Sequence, residues 1–164
     1  MNNIVLIGMP GAGKSTIGVV LAKILGYEFL DSDLLIQRQE KKKLSEIIKE
    51  KGIEAFKQIE NEVNASIDVD ETVIATGGSA IYGKEAMNHL KDIGTVVYLK
   101  LPYEELKARL GSLEGRGVVL SAGQTLEELY AERIPYYEEY ADITVDGAGK
   151  TMEEVLSDLK AVLG

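Results

Sequence analysis

Hydrophobic positions along this chain fall into two alternating rhythms. Short strand-like segments, such as the continuous apolar run Asn3–Ile7 (NIVLI) and the segment Glu71–Ala75 (ETVIA), take turns with longer stretches in which apolar residues recur at helical spacing. An unbroken run bounded by glycine fits a strand buried on both faces, whereas the wider spacing fits one face of a helix. Strands are therefore expected at Asn3–Ile7, Tyr27–Leu30, Glu71–Ala75, Thr95–Leu99 and Asp142–Val145. A first helix is expected over Ser15–Leu25, with Ile17, Val20, Leu21 and Ile24 on one face and Gly26 ending it. Two helical stretches follow, about Leu34–Glu50 and Ile53–Ile67, separated near Gly52. Lys41–Lys43, flanked by Glu40 and Glu46, reads as a solvated turn between helices. Further helices are expected near Lys84–Lys91, over Tyr103–Leu110, from Leu126 through Glu132 and beyond, and over Met152–Leu163. Thr125 and Glu128 are spaced for a capping box.

Strands alternating with helices imply a three-layer α/β fold: a mostly parallel five-stranded sheet with helices on both faces. The 164 residues fit a single domain spanning 1–164. Ligands of such folds gather beyond the C-terminal ends of the strands. The loops expected there are Gly8–Gly13, Asp31–Asp33 and Thr76–Ser79.

The first of these runs Gly8-Met9-Pro10-Gly11-Ala12-Gly13-Lys14-Ser15 and fits G-x-x-x-x-G-K-[ST] between an apolar strand and an amphipathic helix. Its glycines let backbone N–H groups turn inward around phosphate oxygens, and the helix start adds the positive end of its dipole. Lys14 is placed to bridge the β- and γ-phosphates, and the Ser15 hydroxyl to hold Mg²⁺. A nucleoside triphosphate with Mg²⁺ is thus expected on Gly11, Ala12, Gly13, Lys14, Ser15 and Thr16.

At the next strand end, Asp31 and Asp33 flank Ser32. In an extended segment, residues two apart project to the same side. Phosphoryl transfer needs an anchor for Mg²⁺ and a group that takes the proton of an attacking hydroxyl. Asp31 is assigned to the metal and Asp33 to the acceptor hydroxyl. The alternative is that D-S-D caps the following helix, and one aspartate can do both.

With the phosphate loop and the D-S-D together, the chain resembles the shikimate kinases over nearly its whole length. The motifs are Gly8–Thr16, F-x-D-x-D at Phe29–Asp33, G-x-x-x-F-x-x-x-E at Gly52–Glu60, T-G-G at Thr76–Gly78, Arg109, Arg116, and R-x-x-x-Y at Arg133–Tyr137. The resemblance implies a P-loop kinase that uses ATP and Mg²⁺ to phosphorylate a small anionic acceptor, with shikimate the leading candidate. It implies acceptor-binding helices at about 34–67 and a small lid at about 111–124. It also implies an acceptor pocket of Asp33, Lys57, Gly77, Gly78, Ser79 and Arg133, with Arg109 and Arg116 on the nucleotide and Arg116 closing over the phosphates. Lys57 stands where the family has an arginine, Ser79 where it has the third glycine of a triple run, and Gly117 where it commonly has proline. Lysine keeps the charge but lacks the planar fork that grips a carboxylate twice. Glu60, three residues after Lys57, is placed to orient it. These departures keep open a kinase for another hydroxy acid or sugar acid, and a non-catalytic nucleotide-binding regulator is a further alternative. A nucleoside or nucleotide kinase ranks below these.

Composition narrows the partners. A net charge of −9 disfavours a nucleic-acid ligand. The absence of cysteine excludes disulfides and thiolate metal chemistry. The N-terminal apolar run meets glycine too soon for a membrane span or signal peptide, so a cytoplasmic location is the default expectation. The acidic surface offers no clear interface, so a monomer is the default too. His89, the single histidine, is read as neither ligand nor catalyst.

Overall fold

A computed structural model of the protein describes residues 2–110 and 123–163. Its strands are β1 (Asn3–Ile7), β2 (Glu28–Asp31), β3 (Thr72–Ala75), β4 (Gly94–Lys100) and β5 (Ile143–Asp146). They form one five-stranded sheet in the order β2-β3-β1-β4-β5, and every neighbouring pair is parallel. The helices are α1 (Lys14–Leu25), α2 (Ser32–Glu40), α3 (Leu44–Lys51), α4 (Ile53–Ala65), α5 (Lys84–Ile93), α6 (Tyr103–Leu110), α7 (Leu126–Tyr140) and α8 (Met152–Leu163). The expected α/β architecture is therefore present, with the sheet wholly rather than mostly parallel.

The connection β1–α1–β2 runs toward one edge of the sheet, and β3–α5–β4 runs toward the other. Right-handed crossovers consequently place α1 and α5 on opposite faces. The central strands are covered on both sides, which explains their unbroken apolar runs: Val5, Leu6, Val73, Ile74, Val96 and Val97 are fully buried. A separate small core of Ile36, Ile47, Phe56 and Val63 joins α2, α3 and α4. These three helices form a wall beside the C-terminal edge of the sheet.

Three departures from the sequence reading have identifiable reasons. Strand β2 begins at Glu28 because the Tyr27 N–H is spent closing α1, bonding the Ala22 carbonyl at 2.8 Å beyond a left-handed Gly26. The stretch from Leu34 to Glu50 is broken into two helices. Lys41 takes a left-handed φ of 56° and caps α2, and the Gln37 side chain accepts from the Leu44 N–H that opens α3. Finally, a short 3₁₀ turn at Ala80–Tyr82 follows the Thr76–Ser79 loop, with no sequence signal for it. The capping box at the start of α7 is formed as expected, with Thr125 and Glu128 exchanging bonds.

Helix α1 approaches β2 closely because Gly18 has no side chain: a Cβ there would lie 2.7 Å from the Phe29 ring and 3.3 Å from Leu6. Elsewhere, Gly→Ala within a helix gains up to about 1 kcal/mol. Here the clash outweighs that gain. Gly18→Ala is expected to lower stability by about 1–3 kcal/mol in urea denaturation. It should also weaken nucleotide binding, since Ser15 moves with α1. Stabilisation would contradict this packing.

Candidate active site

The phosphate loop is built by backbone conformation. Gly11 and Gly13 take φ of 83° and 90°, left-handed values that cost glycine nothing and turn the loop into the start of α1. No side chain caps that helix, so its first N–H groups stay available to an anion. Lys14 is buried, and its ammonium donates to the carbonyls of Gly8 at 2.6 Å and Met9 at 2.9 Å. The Ser15 hydroxyl donates to Asp31 Oδ2 at 3.0 Å, while Asp31 Oδ1 accepts from the Asp33 N–H at 3.0 Å. The pair of aspartates is therefore not a same-side pair on one extended segment. Asp31 ends β2 and caps α2 while also meeting Ser15, and Asp33 lies in the first turn of the helix.

A cavity of about 260 Å³ opens beside the loop. Its wall includes Pro10, Gly11, Lys14, Thr16, Asp33, Phe56, Glu60, Gly77, Gly78, Ser79 and Arg133. The two glycines permit a tight convergence of charge. A Cβ at Gly77 would sit 2.6 Å from Asp33 Oδ1 and 2.9 Å from Glu60 Oε2, and one at Gly78 only 2.8 Å from an Arg133 guanidinium nitrogen. Arg133 is 1% exposed. Its neighbour Tyr137 donates to the Gly78 carbonyl at 2.7 Å and stacks on Tyr98, which ties α7 to the loop after β3. Asp33 Oδ1 and Glu60 Oε2 are buried with no hydrogen-bond partner among the described residues.

Burial sets the protonation of this cluster. It lowers Lys14 to about 8, a shift opposed mainly by the attraction of Asp33. It raises Asp33 to about 6, with Asp31 adding repulsion and Lys14 pulling the other way. Burial likewise raises Glu60 to about 7, against a hydrogen bond from Ser79. A carboxylate titrating near 6 is well matched to accept a proton from a hydroxyl at neutral pH.

Among the residues expected at the site, Gly11, Gly13, Lys14, Ser15, Thr16, Asp33, Gly77, Gly78, Ser79 and Arg133 share this cavity. Ala12 belongs to a second cavity of about 260 Å³ on the other side of the loop, with Arg109, Leu101, Lys150 and Met152. Gly13 and Thr16 line both cavities, so the loop lies between them. Arg109 also donates to the Gly11 carbonyl at 3.3 Å. Arg116, and the expected lid through residue 122, lie outside the described residues.

Lys57 is not brought to the cavity wall. Its ammonium lies 4.2 Å from the Tyr82 ring centroid and 3.8 Å from Glu54. The expectation that Glu60 orients Lys57 is corrected accordingly: Glu60 bonds Ser79 instead. Sequence reasoning missed the inward aim of Glu60. The signal was its position one turn after Phe56 and three before Val63, on the apolar face of α4.

The phosphate loop thus lies between the charged cavity and a second one lined by Ile17, Leu99, Leu101 and Val155. The fold and this arrangement define a P-loop phosphotransferase. The shikimate kinase family model matches residues 10–163. A shikimate kinase of Alkaliphilus oremlandii is 34% identical, over 97% of both chains, and one of Clostridium botulinum is 46% identical over 84% of each. Among solved structures, the shikimate kinase of Acinetobacter baumannii in complex with shikimate superposes with a TM-score of 0.86 at 31% identity, covering 99% of this chain and 93% of that one. The Aquifex aeolicus shikimate kinase gives 0.81 at 33%, covering 98% and 95%. The chain belongs to the shikimate kinase family and is an ATP-dependent small-molecule kinase.

Asp33 and Glu60 titrate above their ordinary values of 3.8 and 4.5. Between roughly pH 4 and 7 the folded protein holds protons that the unfolded chain has released, so stability falls as pH rises through that window. Glu60→Gln is expected to raise Tm by about 3–6 °C at pH 8 and hardly at all at pH 4.5. An equal change at both pH values would contradict a buried, charge-strained glutamate.

Proposed function

We propose that the protein transfers the γ-phosphoryl group of ATP to a hydroxyl of shikimate, with Mg²⁺ as the metal. The observation that carries this reading is the Asp33 carboxylate, its free Oδ1 in one cavity with Lys14, Arg133 and the phosphate loop. Asp33 orients the acceptor hydroxyl and takes its proton. Lys14 neutralises charge on the phosphates, and Arg133 pairs with the anionic group of the acceptor. Arg109 lies against the nucleotide from the second cavity. Gly77 and Gly78 leave room for Asp33, Glu60 and Arg133 to converge on the acceptor.

Ser15 and Asp31 supply an oxygen pair suited to Mg²⁺. Among the described residues no group of three His, Cys, Asp or Glu side chains is placed to hold a metal ion. When bound, Mg²⁺ neutralises the charge of the β- and γ-phosphates. The net charge of −9 supports the absence of a nucleic-acid partner, and no described helix is long and apolar enough to cross a membrane.

One feature favours a second reading, a kinase of the same fold acting on a different hydroxy acid or sugar acid. Lys57 lies against Tyr82 rather than in the cavity, so among the described residues of its wall the cations facing an acceptor carboxylate are Arg133 and Lys14.

ADP release measured with ATP, Mg²⁺ and shikimate tests both. Turnover of shikimate is expected, rising with pH through an ionisation near 6 as Asp33 becomes a carboxylate. Asp33→Asn is expected to lower kcat by at least about 100-fold and to abolish that ionisation. Turnover of another hydroxy acid, with shikimate inert and ATP still bound, would select the second reading. Full activity of the asparagine variant would remove Asp33 from the reaction.

A further inference from the structure

Glu60 and Ser79 form a buried pair that the phosphoryl transfer described above does not use. Ser79 is 6% exposed and Glu60 2%. The Ser79 hydroxyl donates to Glu60 Oε1 at 2.5 Å, across from α4 to the loop after β3. The other oxygen, Oε2, has no partner among the described residues and points to the same place as the free Oδ1 of Asp33. Both oxygens crowd one point above Gly77, at 2.9 and 2.6 Å, so they lie within about 5.5 Å of each other. Buried carboxylate oxygens without a partner call for hydrogen-bond donors from a ligand. The Lys57 ammonium, directed at Tyr82 and Glu54, supplies none.

We propose that Ser79 is a positioning residue for Glu60: its hydroxyl fixes one carboxylate oxygen so that the other, beside Asp33 Oδ1, receives a hydrogen bond from the acceptor. The inference rests on reading the cavity as the acceptor site. A glycine at position 79 could not supply this bond. Without it the carboxylate is free to rotate away from Asp33, whose charge repels it. The charged and titratable groups facing Glu60 are Asp33 from α2, Lys14 from α1, and Arg133 and Tyr137 from α7. Burial holds Glu60 up near 7, while the Ser79 bond works in the opposite direction. Removing the hydroxyl therefore raises it further.

The test uses the full-length protein with ¹³C-labelled glutamate carboxyls, Glu60 being assigned by its loss in Glu60→Gln. Ser79→Ala and Ser79→Gly are each expected to shift the Glu60 titration upward by about one unit. Their KM for shikimate should rise about tenfold with kcat within about twofold of the parent. An unmoved titration in both variants overturns the positioning role, and so does an unmoved KM. If the parent protein binds ATP but does not turn over shikimate, the proposed acceptor fails separately. The Glu60 titration then decides the role of Ser79, a shift supporting it and no shift overturning it.

Discussion

Four charged side chains, Lys14, Asp33, Glu60 and Arg133, converge on one cavity, and the rest of the molecule is arranged around the cost of holding them there. An isolated buried charge is penalised by several kcal/mol, and opposite charges offset the penalty only when they are close. The set contains two cations and two anions, and its ionisations are mutually displaced: Lys14 is lowered to about 8 while Asp33 and Glu60 are raised to about 6 and 7. Convergence requires Gly77 and Gly78, because any side chain there would occupy the space of the carboxylates and the guanidinium. Such a cluster is a poor contributor to stability and a suitable one for moving a proton beside a phosphate.

The apolar framework makes this arrangement possible. The doubly covered parallel sheet carries the phosphate loop at its centre, and the loops after β2 and β3 open beside it. The helices α2, α3 and α4 carry their own small core, so Asp33 and Glu60 come from a unit braced separately from the sheet. Arg133 reaches the same cavity from α7, held by the Tyr137 bond to the Gly78 carbonyl and the stacking of Tyr137 on Tyr98. The phosphate loop has a cavity on each side, and among the described residues the two share only Gly13 and Thr16.

Most of this was legible in the sequence wherever local chemistry dictates geometry. The loop from Gly8 to Ser15 needs its glycines and lysine at fixed spacing, and the apolar runs match the central strands to within a residue or two. Directions of side chains were less accessible. Asp31 and Asp33 are two apart, but the strand ends between them, so the period-two argument fails and capping joins the two roles. Lys57 matches its family position in sequence yet turns to Tyr82, because a cation–π contact and Glu54 compete for it. The bond between Ser79 and Glu60 spans 19 residues, and no local pattern announces such a contact.

A crystal structure of the protein with ADP, Mg²⁺ and shikimate is the most direct measurement. One hydroxyl of shikimate should lie about 2.6–3.0 Å from Asp33. The carboxylate should meet Arg133, with ADP phosphates over Gly11–Thr16 and the base beside Arg109. Shikimate bound with its carboxylate on Lys57, or with no hydroxyl near Asp33, would contradict the assignment of the charged cavity as the acceptor site.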